Sequence, residues 1–160
     1  MRTLSGKQAI VYGGLVVGAL DALDAIVFFG VRSGATPVRI FQSIAAGLLG
    51  RASFQGGWRS ALLGVAIHFF IAFSIAATYY VASRRIGILV QRPILCGAVY
   101  GVLVYFFMNR VVIPLSAIGA SAMPPLPVFI NGIAIHILGV GIPAAFFASR
   151  STRIHEGVDV

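Results

Sequence analysis

Six side chains of this 160-residue sequence have the types and spacing to do chemistry: Asp21, Asp24, His68, Tyr105, Asn109 and His136. Apart from Glu156 and Asp159 near the C-terminus, the two aspartates are the only acids in the chain, and both fall inside an apolar run. A carboxylate at the centre of a membrane span costs about 2.5–3.5 kcal/mol on insertion scales. Two at helical spacing therefore need protonation, a partner or water. The histidines recur in one short context, "GVAIH" at 64–68 and "GIAIH" at 132–136.

Three kinds of chemistry fit these residues. Histidine ordinarily titrates near pH 6.5, so the Asp/His set can exchange protons or hold a cation, with Arg110 or Arg32 as countercharge. Alternatively, His68 and His136 join Asp21 and Asp24 around a divalent metal, or bracket a haem iron, although an anionic pair beside haem is unfavourable. In the third reading the polar groups are hydrogen-bonding glue between helices, as in a non-catalytic subunit of a membrane complex. Motifs of soluble enzymes are weak or absent. "GVGIPA" at 139–144 matches a dinucleotide pattern but no strand precedes it, and no HExxH or GxSxG occurs. An enzymatic role is not indicated.

The elements that must position these residues are membrane helices. With 59% hydrophobic residues, 10% charged residues and a mean hydropathy of +0.97, the chain lacks the polar surface of a soluble domain. Four runs reach the roughly 20 residues of a span: 9–31, 60–83, 93–113 and 128–149. The first opens with Arg2 and Lys7 like a signal peptide, but "IVFFGV" extends it to spanning length. The expected fold is all-α and polytopic, two helical hairpins in one domain over 1–150, followed by a flexible tail over 151–160. The net charge of +8 is spread singly or in pairs at the run ends, the pattern of interfacial anchors in a lipid bilayer and not of nucleic-acid binding. The one cysteine, Cys96, excludes an intrachain disulfide.

Seven basic residues fall on the side of the termini (Arg2, Lys7, Arg84, Arg85, Arg92, Arg150, Arg153) and five on the other (Arg32, Arg39, Arg51, Arg59, Arg110). That bias places both termini in the cytoplasm. The segment "PVRIFQSIAAGLLG", 37–50, is too short to cross. Ile40, Phe41, Ile44 and Leu48 share a helical face opposite Arg39, Gln42, Ser43 and Ala46, as expected of a helix lying in the outer interface. Trp58 outside and Tyr12, Tyr79 and Tyr80 inside are expected to form aromatic belts.

Counting at 1.5 Å per residue puts Asp21, Asp24, His68, Tyr105 and His136 roughly 10–15 Å below the outer helix ends. Gly14 and Gly18, Gly64, Gly97 and Gly101, and Gly132 lie on the same helical faces as these residues. Small residues let membrane helices approach closely, so these stripes are the expected packing faces, within the bundle or in a homodimer. The pairs "GLVVG"/"GAVYG" and "GVAIH"/"GIAIH" also read as a weak duplication of a hairpin.

Through "GLVVGALDALDAIVFFG", "LLGVAIHFFIAFSIAATYYVA", "CGAVYGVLVYFFMNRVVIPLSAIG" and the histidine-bearing last run, the sequence resembles the YagU-like family of small bacterial inner-membrane proteins. The resemblance implies four spans, an inner-membrane location and a link with acid tolerance. The paired aspartates depart from the family pattern.

Overall fold

The computed structural model describes residues 4–119 and 122–151. Most of the 151–160 tail lies outside them. The fold is all-α, with four helices long and apolar enough to cross a membrane. Helix α1 is Gly6–Ser33; α2 is Pro37–Leu49; α3 is Gly57–Arg85; α4 is the single turn Ile88–Gln91; α5 is Pro93–Leu115; α6 is Leu126–Ser149. At 1.5 Å per residue the 23 residues of α5 reach about 35 Å, enough for the hydrocarbon core.

Local signals fix the helix ends. Ser5 and Gln8 form a capping box that starts α1, and Gly34, in the left-handed region at φ 66°, ends it. Thr36 caps α2 and Pro37 occupies its first turn, where a missing N–H costs nothing. Pro125 and Pro127 bracket the start of α6 in the same way. The two ends of the described chain lie together, the Leu4 N–H donating to the Arg150 carbonyl at 3.0 Å. We call that the terminal end of the bundle and the other the α2 end.

The bundle is closed at the terminal end. Val17, Ala72, Tyr79, Val104, Val140, Ala144, Ala145 and Ala148 form its core, mostly small residues that let backbones meet. A Cβ on Gly101 would run into the His136 carbonyl, and one on Gly141 into the Gly97 carbonyl, so α5 and α6 cross backbone to backbone. Gly97 and Gly101 of α5 lie in this crossing, with Gly141 of α6 as their counterpart. The other glycines work differently. Gly14 and Gly18 seat the rings of Phe73 and Phe69, Gly132 seats that of Tyr105, and Gly64 meets the Phe41 carbonyl of α2. Gly14, Gly18, Gly97 and Gly101 are all buried within the chain.

Helix α2 departs from the expected faces in part: Gln42 and Ala46, assigned to its polar side, are buried, while Arg39 and Ser43 of that side are exposed and Ile40 of the apolar side is buried. Hydrogen bonding decides this. The Gln42 amide donates to the Gly57 carbonyl at 3.1 Å, Ser60 donates to the Ser53 carbonyl and Ser53 to the Gln42 carbonyl. That network ties α2 to the start of α3. Tyr79 likewise departs from its expected place in an aromatic belt: it is 1% exposed, and its hydroxyl donates to the Leu89 carbonyl at 2.9 Å. Trp58 remains exposed.

Helices α5 and α6 each contain one wide turn with i to i+5 hydrogen bonds, at Met108–Val112 and His136–Gly141. Each ends two residues before a proline, Pro114 and Pro143. A proline ring clashes with the carbonyl four residues earlier and offers it no N–H. The turn widens where the regular ladder is broken.

Candidate functional site

The two wide turns carry two of the expected site residues. His136 begins one and Asn109 is second in the other. Both side chains fold back in the same manner: the His136 Nδ1–H donates to the Gly132 carbonyl at 2.9 Å, and the Asn109 amide to the Tyr105 carbonyl at 2.9 Å. Single wide turns are frequent at functional positions in helices. Here they aim two polar groups between helices that otherwise present carbon.

Around them the α2 end of the bundle is open. A cavity of about 510 Å³ is lined by Asp21, Asp24, Tyr105, Asn109 and His136 among others. A second, of about 220 Å³, is lined by Asp21, His68, Asn109 and His136. Asp21, Ile44, Asn109 and His136 belong to both walls, so the cavities adjoin across them. All six residues singled out in the sequence therefore line these two adjoining cavities, contributed by α1, α3, α5 and α6. Helical spacing had placed them at one depth, and the closed terminal end leaves the space open only beyond that depth.

His68 is buried, 8% exposed, and of the six only Tyr105, at 6%, is as enclosed. Its ring stands edge-on to Phe69 on α3 and Phe41 on α2, with centroids 5.4 and 6.2 Å away. Nε2 lies 2.8 Å from the Gly18 carbonyl. A carbonyl only accepts, so this nitrogen carries the hydrogen. Nδ1 lies 4.0 Å from Asp21 Oδ2. Asp21 is also within electrostatic reach of His136 and Asp24. Across the cavity, the Tyr105 ring stands edge-on to His136, centroids 5.3 Å apart.

The two "G-x-A-I-H" motifs are thus not equivalent. His68 reaches another helix, while His136 bonds to its own. Gly64 admits a neighbouring backbone and Gly132 a ring. No duplicated role follows from the duplicated letters.

Two residues of the site escaped the sequence reading. Asn131 donates from Nδ2 to Asp24 Oδ2 at 2.8 Å, joining α6 to α1. The available signal was a lone amide five residues before His136. Arg39, on α2, lines the larger cavity and stacks on Phe54 at 4.0 Å. It takes the place expected of Arg110 or Arg32. Arg110 instead reaches the Met123 sulfur, and Arg32 is exposed at the end of α1.

Among the described residues no three His, Cys, Asp or Glu side chains come together to hold a metal ion. The expected metal set does not converge, because Asp24 is drawn to Asn131 and His68 is walled by Phe41 and Phe69. Both histidines line the cavity of about 220 Å³, with Nε2 of His68 taken up by the Gly18 carbonyl and Nδ1 of His136 by the Gly132 carbonyl.

No family model, curated protein or solved structure matches the chain. What the arrangement can do chemically is bind a proton or a small cation between Asp21, His68 and their neighbours, within reach of the α2 end.

Proposed function

We propose that this membrane protein is a proton-responsive component whose centre is the Asp21–His68 pair, approached from the α2 end. The observation that carries the proposal is the hydrogen bond from His68 to the Gly18 carbonyl. With Nε2–H committed, a neutral His68 turns the lone pair of Nδ1 toward Asp21 Oδ2, 4.0 Å away. An ionised carboxylate facing that lone pair in a medium of low dielectric is unfavourable. The pair is relieved by one proton, held either as imidazolium or as carboxylic acid.

Asp24 of α1 and His136 of α6 lie within electrostatic reach of Asp21, and Arg39 of α2 and Tyr105 of α5 line the same cavity. Gain or loss of the proton changes the charge between four helices, one of them broken by a wide turn at His136. That is a local charge change coupled to a deformable element. The resemblance to the YagU-like family extends the proposal to a bacterial inner membrane, cytoplasmic termini and a part in acid tolerance.

The test is potentiometric titration of the purified protein in uncharged detergent. Wild type is expected to take up one proton more than Asp21→Asn across the acid-to-neutral range, and His68→Gln to alter the same step. Coincident titration curves for all three proteins overturn the reading.

A further inference from the structure

A third space adjoins the site from the side. Helices α3 and α5 leave a cleft of about 600 Å³ between them, lined by residues such as Phe70, Thr78, Leu103 and Phe107. Leu103, Phe70 and Phe107 are 61, 71 and 58% exposed, so the cleft faces outward along the apolar surface of the bundle. Ile71, Ile75 and Met108 belong both to this cleft and to the small cavity that Asp21, His68 and His136 line. The three side chains are the partition between them. Met108 begins the wide turn of α5, and methionine, unbranched and flexible, is the side chain that repacks most easily.

The two sides of the partition differ sharply in polarity. Three hydroxyls line the cleft, and each is already bonded to a backbone carbonyl: Ser74 to Phe70, Thr78 to Ser74, and Tyr100 to Ile75. The cleft therefore offers hydrocarbon. Behind the partition stand Asp21 and the Nδ1 of His68, 4.0 Å apart. Asp24 follows in the adjoining cavity. Among the described residues lining these two cavities, the arginine Arg39 lies at the α2 end, away from the cleft.

We propose that the chain binds a membrane amphiphile with a cationic amine head, which enters from the lipid side between α3 and α5. Its head passes Met108 to face Asp21 and Asp24, and its tail lies in the cleft. An amine head can take the place of the proton at Asp21 and also face Asp24, so the two carboxyl groups select it over a carboxylate or phosphate head. The apolar lining selects an alkyl tail over a polar one. The inference rests on the same view of Asp21 as a charge-bearing group.

The experiment is saturable retention of radiolabelled dodecylamine by the full chain in phosphatidylcholine nanodiscs, with empty nanodiscs subtracted, against dodecanol and dodecanoate. The expected result is one amine bound per chain, with the alcohol and the acid at least tenfold weaker. Asp21→Asn/Asp24→Asn is expected to weaken the amine tenfold or more. So is Leu103→Trp, which fills the cleft from an exposed position and keeps the unfolding midpoint, should the first variant fail to fold. Equal retention of all three amphiphiles, or amine binding indifferent to Leu103→Trp, overturns the proposal. The two readings fail separately. Proton uptake by Asp21 without saturable amine binding overturns the amphiphile alone, and saturable binding without proton uptake overturns the proton centre alone.

Discussion

His68 and Gly18 are joined across α3 and α1 by a hydrogen bond of 2.8 Å, and that bond determines which nitrogen of the imidazole faces Asp21. Glycine at 18 leaves room for the Phe69 ring beside the histidine. One interhelical contact thus sets both the packing of α1 on α3 and the protonation logic of the site.

Replacing His68 by alanine removes the hydrogen bond between α3 and α1, while the Gly18 carbonyl keeps its bond within α1. The expected loss is about 0.5–1.5 kcal/mol, the net contribution of one hydrogen bond, read as a lower unfolding midpoint in detergent. Asp21→Asn in the same background should cost less than it does alone, since the histidine it faces is gone. Additive losses would show that the two residues are not coupled.

In vesicles with an imposed pH gradient, a site that conducts protons speeds the decay, and Asp21→Asn/Asp24→Asn abolishes the acceleration. Identical decay for the wild type and the double variant, with equal reconstitution, would reduce the role to sensing without transport.

Glycine substitutions should divide by what the new methyl meets. Gly101→Ala and Gly141→Ala drive a methyl into the backbone of the facing helix, and an overpacking cost of about 1–3 kcal/mol is expected for each. Gly30→Ala meets nothing closer than the Ala35 carbonyl at 3.8 Å, so it should be neutral or stabilise α1 by up to about 1 kcal/mol. Thermal unfolding of the three variants side by side is the measurement. Equal effects at 30 and 101 would contradict the close crossing of α5 and α6.

Asn131→Ala deprives Asp24 of its donor on α6. A hydrogen bond to a charged group contributes about 1.5–3 kcal/mol, and a loss of that order is expected. In an Asp24→Asn background the same substitution should cost clearly less. A double-mutant cycle on unfolding midpoints gives the coupling, and a coupling of zero would remove Asn131 from the site.

Pro143→Ala restores an N–H where the helix ladder is interrupted, which allows the His136–Gly141 turn to tighten. The expected outcome is a large change in the imidazole NMR signals of His136 with little change in those of His68. Similar shifts in both, or none, would mean that the proline does not set the wide turn.

The sequence by itself determined the spans, because about 20 apolar residues are needed to cross a bilayer and four such runs are plain in the composition. From the constant rise of a helix it also assigned Asp21, Asp24, His68, Tyr105 and His136 one expected depth. What each side chain faces was decided only by tertiary structure. Helical spacing is blind to which neighbour supplies a carbonyl, so it could not distinguish His68 bonded to Gly18 from His136 bonded to its own helix. The buried face of α2 follows from the Gln42–Ser53–Ser60 network, a set of contacts across 18 residues of sequence that outweighs the pattern of apolar side chains. The partner of Asp24 lies 107 residues away, and no local rule connects them. Only the packed bundle brings the two together, because the close crossing of α5 and α6 and the packing of α6 on α1 set where Asn131 points.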